Sequence, residues 1–260
     1  MDTYELFYRN KDGSLAGQVL TFDRLEMNPV FNGVGSWSLL APIDVLNQLV
    51  WQGGIVVKRN GEVFFSGPVT RLTRNKNNLS TPMINTLEAQ GENDLGYLCD
   101  RLALPVPGGP PYTTAEYDVR TGPFETVAKQ LVSYNAGPLA KPDRQVTGLS
   151  IEADGARGTA VTSQARFDLL IDLLESKATQ AGSIGFDIVG MEFKVFETRD
   201  LRTSIIFSED LGTLSGYRYD VSRSKANYVY LGGAGDGSAR VILENLDSAS
   251  VLEFGRIEEF

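Results

Sequence analysis

The sequence predicts a β-rich α+β protein, and three observations lead to this fold class. Short apolar runs separated by turn residues fill the first 93 positions, helical patterns occupy residues 94–203, and strand-like runs return after residue 204. We therefore expect an N-terminal β-barrel-like or sandwich-like domain at 1–93 and an α/β middle domain at 94–203. A C-terminal β segment is expected at 204–260.

Turn chemistry divides the first domain into strands. Asn60-Gly61 is its strongest hairpin signal, because this pair tolerates the two positive φ angles of a type I′ turn. Asp44–Trp51 is predicted to form a short helix capped by Asp44. The predicted strands are Thr3–Arg9, Leu15–Phe22, Ser36–Leu40, Gly54–Arg59, Glu62–Ser66, Val69–Arg74 and Met83–Gln90.

Helical periodicity dominates the middle domain. Pro123 suits a first helical turn, Gly137 follows a helix end, and Gly182 ends the longest pattern, whose apolar face includes Phe167 and Leu170. The predicted elements are helices at Asp94–Leu102, Thr121–Asn135 and Ser163–Ala181, an ordered proline-rich loop at Leu104–Pro111, and a hairpin of Ile184–Val189 with Glu192–Glu197 around Gly190.

The last stretch returns to strand patterns with polar breaks between them. The chain ends within such a pattern, so we expect it to be cut within a domain. The predicted strands are Ser204–Phe207, Leu214–Val221, Asn227–Leu231 and Ala239–Leu243.

The composition excludes most catalytic chemistry, because the chain contains no histidine and a single cysteine, Cys99. Histidine is the usual general acid or base near neutral pH and the commonest ligand of transition metals. Serine triads, Cys-His proteases and histidine-zinc hydrolases are therefore excluded. One cysteine cannot form an intramolecular disulfide, and the apolar helical pattern around Cys99 predicts a buried small side chain.

The charge and the hydropathy pattern restrict partners and location. The net charge is −9 and no basic block is present, which argues against nonspecific nucleic-acid binding. The first residues do not resemble a signal peptide, and no apolar run approaches membrane-spanning length. We expect synthesis in the cytoplasm and no membrane insertion.

Three carboxylates form the strongest catalytic candidate. Asp168, Asp172 and Glu175 are spaced to share one face of the predicted helix, and paired carboxylates at this separation serve glycosidases. The same face lies beside the apolar stripe, so a solvated helix face is the favoured interpretation.

Other motifs favour turns over sites. The glycine-rich run Gly232–Gly237 precedes a strand pattern and lacks the helix that a phosphate loop needs, so we expect a hairpin loop. Asp154–Gly158 and Ser208–Gly212 are oxygen-rich but lack the ligand alternation of a calcium loop. Trp37 and Trp51 could stack on a sugar, although such residues more often anchor a core or an interface. The sequence predicts no catalytic residue, cofactor or metal.

An ordered set of segments resembles the siphovirus minor tail proteins related to the baseplate hub. The set spans residues 31 to 260 and occurs in the family's order. The segments are Phe31–Trp37, Gly61–Thr70, Asp100–Pro105, Tyr117–Pro123, Arg166–Leu170 and Gly255–Phe260.

The resemblance implies a homotrimeric hub at the distal tail tip. The resemblance implies two barrel-like domains in each subunit that mimic tail-tube subunits, with residues 204–260 as strands of the second barrel. Three chains would then match the sixfold tail above to the threefold tip below. The implied neighbours are a distal tail protein or tail tube above, a fibre, spike or receptor-binding protein below, and a tape measure protein in the lumen. DNA would pass through this lumen without specific binding.

Two other functions stay open. The first is a carboxylate glycoside hydrolase acting on the host cell wall, which needs a cleft with two facing carboxylates. The second is a carbohydrate-binding module for the host surface, which needs exposed aromatic side chains in a groove.

Overall fold

The computed structural model describes residues 2–77 and 84–260. It is β-rich, with 37% of residues in strands and 18% in helices. Two compact units are present, Met1–Arg199 and Asp200–Phe260. Two hydrophobic cores lie within the first unit, one built from residues 6–89 and the other from residues 95–195. The three-domain division stays a prediction.

The strands before residue 93 form two open four-stranded sheets with the orders β2-β1-β5-β6 and β3-β4-β8-β7. A short helix, α1 (Ile43–Leu46), lies between β4 and β5. The strands are β1 (Tyr4–Arg9), β2 (Leu15–Gln18), β3 (Arg24–Asn28), β4 (Ser36–Pro42), β5 (Gly54–Arg59), β6 (Glu62–Gly67), β7 (Val69–Asn77) and β8 (Ile84–Glu92).

These sheets are joined at both sides by very short crossings. Pro68 alone separates β6 from β7. On the other side, the Val19 amide donates to the Leu6 carbonyl of β1 at 2.8 Å, and the Asp23 amide donates to the Leu40 carbonyl of β4 at 2.8 Å. The chain therefore passes from the first sheet to the second within residues 20–22. Because β2 and β3 are joined only by the connecting segment and not by the hydrogen bonds of a β-ladder, no closed barrel forms among the described residues. The barrel expectation is corrected to two open layers.

Local turn chemistry was predicted well in this region. Asn60 has φ 54° and Gly61 has φ 87°, as the type I′ hairpin between β5 and β6 requires. The helix predicted over Asp44–Trp51 is shorter, and strand β3 was not predicted. Met83, at the start of another predicted strand, lies outside the described residues.

The second core packs two helices against short strands. Its largest fully buried side chains include Phe124, Leu131, Leu174, Phe186 and Phe193. The elements are α2 (Gly96–Cys99), β9 (Leu102–Ala103), β10 (Asp118–Pro123), α3 (Phe124–Asn135), β11 (Ser150–Ile151), β12 (Ala160–Ala165), β13 (Asp168–Leu169), α4 (Leu170–Ala181), β14 (Ile184–Val189) and β15 (Glu192–Glu197).

Three predicted helices are shorter than expected. Residues 121–123 belong to β10 and residues 163–165 belong to β12, because these two strands pair with each other from Asp118↔Ala165 to Pro123↔Ala160. Phe167 is consequently 47% exposed and does not face the core. The helix predicted over Asp94–Leu102 is reduced to α2. Helical periodicity contains no information on such distant pairing. The hairpin of β14 and β15 is confirmed.

A loop from the first core is fixed to the edge of the second core. Asn32 accepts a hydrogen bond from the Phe186 amide at 2.8 Å and donates to the Ile184 carbonyl at 3.0 Å. Phe31 packs edge-on against Phe196, with ring centroids 6.4 Å apart. Asn32 adopts φ 53°, a left-handed conformation that asparagine tolerates better than most residues. We name residues 29–35 the latch loop.

The second unit contains a three-stranded sheet with the order β17-β16-β18. Strands predicted at Ser204–Phe207 and Leu214–Val221 are not formed; both segments are irregular. A helix that was not predicted follows β17, where Asp247 caps it by accepting from the Ser250 amide at 3.1 Å. The elements are β16 (Tyr228–Gly232), β17 (Ile242–Leu246), α5 (Ser248–Phe254) and β18 (Glu258–Glu259).

Candidate functional site

The three candidate carboxylates do not share a helix face. Asp168 lies in β13, before the helix, and is exposed, as is Asp172 on α4. Burial raises the pKa of Glu175, and the negative charge of Asp172 adds to this shift. A raised carboxyl pKa suits an acid catalyst, but these residues line none of the cavities described below.

Both oxygen-rich segments form turns that the chain itself closes. The Ala156 amide donates to Asp154 at 3.0 Å, and Thr126 donates to the other Asp154 oxygen at 2.7 Å. In the other segment the Ser208 amide donates to Thr213 at 2.9 Å. Among the described residues, no cluster of three acidic or cysteine side chains is arranged to hold a metal ion. Gly232 is the last residue of β16, and the rest of the run to Gly237 lies in the connection to its antiparallel partner β17, which confirms the hairpin loop.

A buried ion network explains why the first of these turns is fixed. The Glu125 side chain is fully buried on α3, and its carboxylate accepts from Lys129 at 2.6 Å and from Arg157 at 2.8 and 2.9 Å. Glu152 accepts from the same two cations at 3.0 and 2.8 Å. Burial alone would raise the pKa of Glu125, but the hydrogen bonds from Arg157 and Lys129 outweigh it and hold this pKa well below its usual range. The network anchors residues 152–158 to α3.

A second buried ion pair lies where the two cores of the first unit meet. Arg9 and Asp94 are 2% and 0% exposed, with a nitrogen–oxygen distance of 2.7 Å. Ser66 also donates to Asp94. Burial raises the pKa of Asp187 on β14 to about 6, and the Asp94 charge contributes to this shift. Sequence analysis missed both networks; for the first, the i, i+4 spacing of Glu125 and Lys129 was an available signal.

The two tryptophans have different environments. Trp37 is 2% exposed and donates from Nε1 to the Glu92 carbonyl at 3.2 Å, so it is a core residue. Trp51 is 55% exposed. The two do not form a joint sugar-binding platform.

An apolar groove opens between the edge strands β2 and β3. Its volume is about 490 Å³, and Leu20, at its rim, is 81% exposed. Seven other apolar side chains line it: Tyr4, Leu6, Val19, Phe22, Leu25, Met27 and Val57.

The second unit has an apolar surface and hardly any interior. Each of its residues is described, and Asn227 alone is buried. Leu252 is 90% exposed, Tyr219 is 77% exposed, and Phe207 is 73% exposed. A unit of this kind has no hydrophobic core of its own, so its apolar surface is available for contacts with other protein surfaces.

The sequence matches a known protein family over almost its full length. The profile of the Siphovirus ReqiPepy6 Gp37-like proteins matches residues 4–260. The chain belongs to this family. The Gp37-like chain is thus a siphovirus protein, as its ordered segments indicated.

Two solved structures share the fold of this Gp37-like chain. Prophage tail protein gp18 from Listeria monocytogenes EGD-e has a TM-score of 0.52 and 11% identity over 98% of this chain and 71% of that chain. The tail protein from Neisseria meningitidis MC58 has a TM-score of 0.57 and 13% identity over 98% of this chain and 70% of that chain. A search of curated proteins gave no match. Among the described residues, no helix is both long and apolar enough to cross a membrane.

Proposed function

We propose that this Gp37-like protein is a non-catalytic subunit of the baseplate hub at the distal tail tip. It forms a homotrimer that joins the sixfold tail tube or distal tail ring to the threefold tip and encloses part of the DNA conduit. A tail fibre, spike or receptor-binding protein attaches below, and the tape measure protein lies in the lumen. The two open sheets before residue 93 and the strands after residue 204 contribute its tail-tube-like parts.

The exposed apolar surface of the second unit carries this proposal. Ordering a residue costs roughly 1–2 kcal/mol of backbone entropy, and buried apolar area is the main compensation. Residues 200–260 bury only Asn227 within their own unit, so contacts beyond it must supply the missing burial. Obligate interfaces are large, apolar and rich in aromatic residues, as this surface is.

The charge supports a role as a conduit. A net charge of −9 makes the protein surface repel DNA on average. A lumen that is acidic or neutral lets DNA pass at ejection without being held, whereas a basic lumen would bind phosphates and slow the passage.

Immunogold electron microscopy of phage particles tests the position. Antibody against this chain should place gold at the tail tip, and particles without gold, despite antigen in the soluble fraction, would contradict the proposal.

Light scattering of the purified full chain tests the contact surface. We expect Leu252→Glu to weaken assembly, because a charge at this 90% exposed position enters an apolar interface. Leu139→Glu, at a 59% exposed position of the first unit, is the matched control.

A further inference from the structure

An open surface pocket lies between the proline-rich loop and the paired strands β9 and β13. Its volume is about 390 Å³, within the range of small-molecule sites. Hydrophobic and charged side chains share the lining, which includes Asp100, Arg101, Leu102, Tyr112, Arg144 and Phe167. No function proposed above uses this pocket.

Phe167 presents its ring at the pocket through an unfavourable backbone conformation. Its φ is 65°, a left-handed value that is an outlier for a bulky side chain. Two hydrogen bonds fix this conformation: the Phe167 amide donates to the Ala103 carbonyl at 2.8 Å, and the Arg166 amide donates to Asp168 at 2.8 Å. The ring is 47% exposed and meets Tyr112 edge-on, with centroids 6.0 Å apart. Strained residues of this kind concentrate at ligand sites.

Two arginines bring positive charge to the same pocket. Arg101 donates to the carbonyls of Arg144 and Asp100 at 3.0 and 3.1 Å. Arg144 donates to the Leu102 carbonyl and, at 3.4 Å, to Asn135. Within the part of the chain that is described, neither guanidinium forms an ion pair with a carboxylate. Burial lowers the pKa of Arg144, the charge of Arg101 adds to this shift, and the charges of Tyr112 and Asp143 oppose it. An anion that contacts both guanidinium groups would add the counter-charge that no ion pair supplies.

The acidic residues of the pocket lie at its rim. Asp143 lies 3.9 Å from Lys141, and its side chain is 73% exposed. Asp100 is also exposed. Exposed carboxylates at a rim can accept hydrogen bonds from hydroxyl groups, while the half-buried arginines can donate to an anion with the N–H groups that the carbonyls leave free.

We propose that this pocket binds an acidic sugar residue. The apolar face of the sugar ring stacks on Phe167, its carboxylate is received by Arg101 and Arg144, and its hydroxyl groups donate to Asp100 and Asp143. The carboxylates of Asp100 and Asp143 favour a sugar over an acidic peptide, because a sugar ring brings several hydroxyl donors beside its single charge.

Saturation-transfer NMR and calorimetric titration of the full chain test this proposal with methyl β-D-glucuronide, methyl β-D-glucoside and acetate. We expect the glucuronide to bind and its ring protons to receive saturation. The glucoside and acetate should each bind at least about tenfold more weakly, because each lacks one half of the recognised chemistry. No binding of the glucuronide, or equal binding of acetate, would overturn the proposal.

Variants separate the pocket from the rest of the surface. Phe167→Gly removes the ring and suits the left-handed backbone, so it should weaken glucuronide binding at least about tenfold without lowering the melting temperature. Arg144→Gln should weaken binding of the glucuronide more than that of the glucoside. Tyr134→Ala is the matched control, because Tyr134 packs under Arg120 at 4.6 Å outside this pocket. Glucuronide binding that is unchanged in Phe167→Gly would place the sugar elsewhere and overturn the assignment.

Discussion

The side-chain amide of Asn32 takes the place of a neighbouring strand beside Phe186. Its oxygen accepts from the Phe186 amide at 2.8 Å, and its nitrogen donates to the Ile184 carbonyl at 3.0 Å. One side chain therefore satisfies a donor and an acceptor on the outer edge of β14. Asn32 lies in the loop between β3 and β4, whereas Phe186 is a side chain of the second core, so this contact fixes a loop of the N-terminal sheets to that core.

We expect Asn32→Gly to destabilise the first unit by about 1–3 kcal/mol, since it removes both hydrogen bonds but keeps a residue that suits a positive φ. Urea unfolding measures the loss, and amide exchange at Phe186 should accelerate. Asn60→Gly is the matched control, because Asn60 also has a positive φ but its hydrogen bonds to Thr3 and Asp2 are exposed. Equal losses of unfolding free energy in the two variants would contradict a stabilising role for the Asn32 hydrogen bonds.

Glu125→Ala should cost about 3–5 kcal/mol, because it leaves Lys129 without its buried partner and removes the main partner of Arg157. The free energy of unfolding at pH 7 is the measurement, with the exposed Glu197→Ala as control. A loss no greater than that of the control would contradict the buried network.

The carboxylate of Glu125 also makes the free energy of unfolding depend on pH in the acidic range. Its pKa is lower in the folded chain than the ordinary value of 4.5, so its stabilising contribution is complete above about pH 4.5 and is lost as the pH falls towards the folded-state pKa. Glu125→Gln should flatten this part of the stability profile. A variant that keeps the full slope below pH 4.5 would refute the assignment.

Asp187 should have the opposite effect on the pH dependence of stability. Its pKa is raised from 3.8 to about 6, so stability decreases as the pH rises through this window and stays lower above it. Asp187→Asn should remove the decrease and raise stability at pH 7 by at most about 3 kcal/mol. Unfolding free energies between pH 4 and pH 7.5 measure this, with the exposed Asp44→Asn as control. A destabilised variant at pH 7 would show that the charged form is favoured.

Cys99 should react slowly with thiol reagents. Burial raises the pKa of its thiol, and the charges of Glu92, Asp100, Asp172 and Glu175 raise it further. The nucleophilic thiolate is therefore scarce at neutral pH. Ellman's reagent at pH 7.5 should label the native chain much more slowly than the urea-unfolded chain. Equal rates would indicate an accessible thiol of ordinary pKa.

Sequence analysis succeeded where a few adjacent residues determine the backbone. Asn60-Gly61 and Gly190 locate hairpins, and the end of α3 at Asn135 was predicted correctly because Gly137 and Pro138 cannot continue the helix. Family membership was also accessible, through ordered segments that no single motif could replace.

Prediction failed where pairing with distant residues decides the secondary structure. Residues 163–165 fit a helical pattern, yet their pairing with β10 makes them a strand. Asp168 was therefore assigned to the wrong element, and the three-carboxylate face does not exist. Strand β3 was missed although Leu25 and Met27 alternate with polar residues, which is the local pattern of a half-buried strand. For α5 the signals were present, since Asp247 caps it and Gly255 ends it, but the strand-like residues before it took precedence.

The latch loop also affects how readily this chain aggregates in a crowded cell. β14 is an edge strand of apolar residues, and uncovered edges of this kind recruit other chains into aggregates. By occupying the backbone groups of Ile184 and Phe186, Asn32 blocks the start of that edge as a template. The start of this edge is thus protected from pairing with other chains while the protein accumulates.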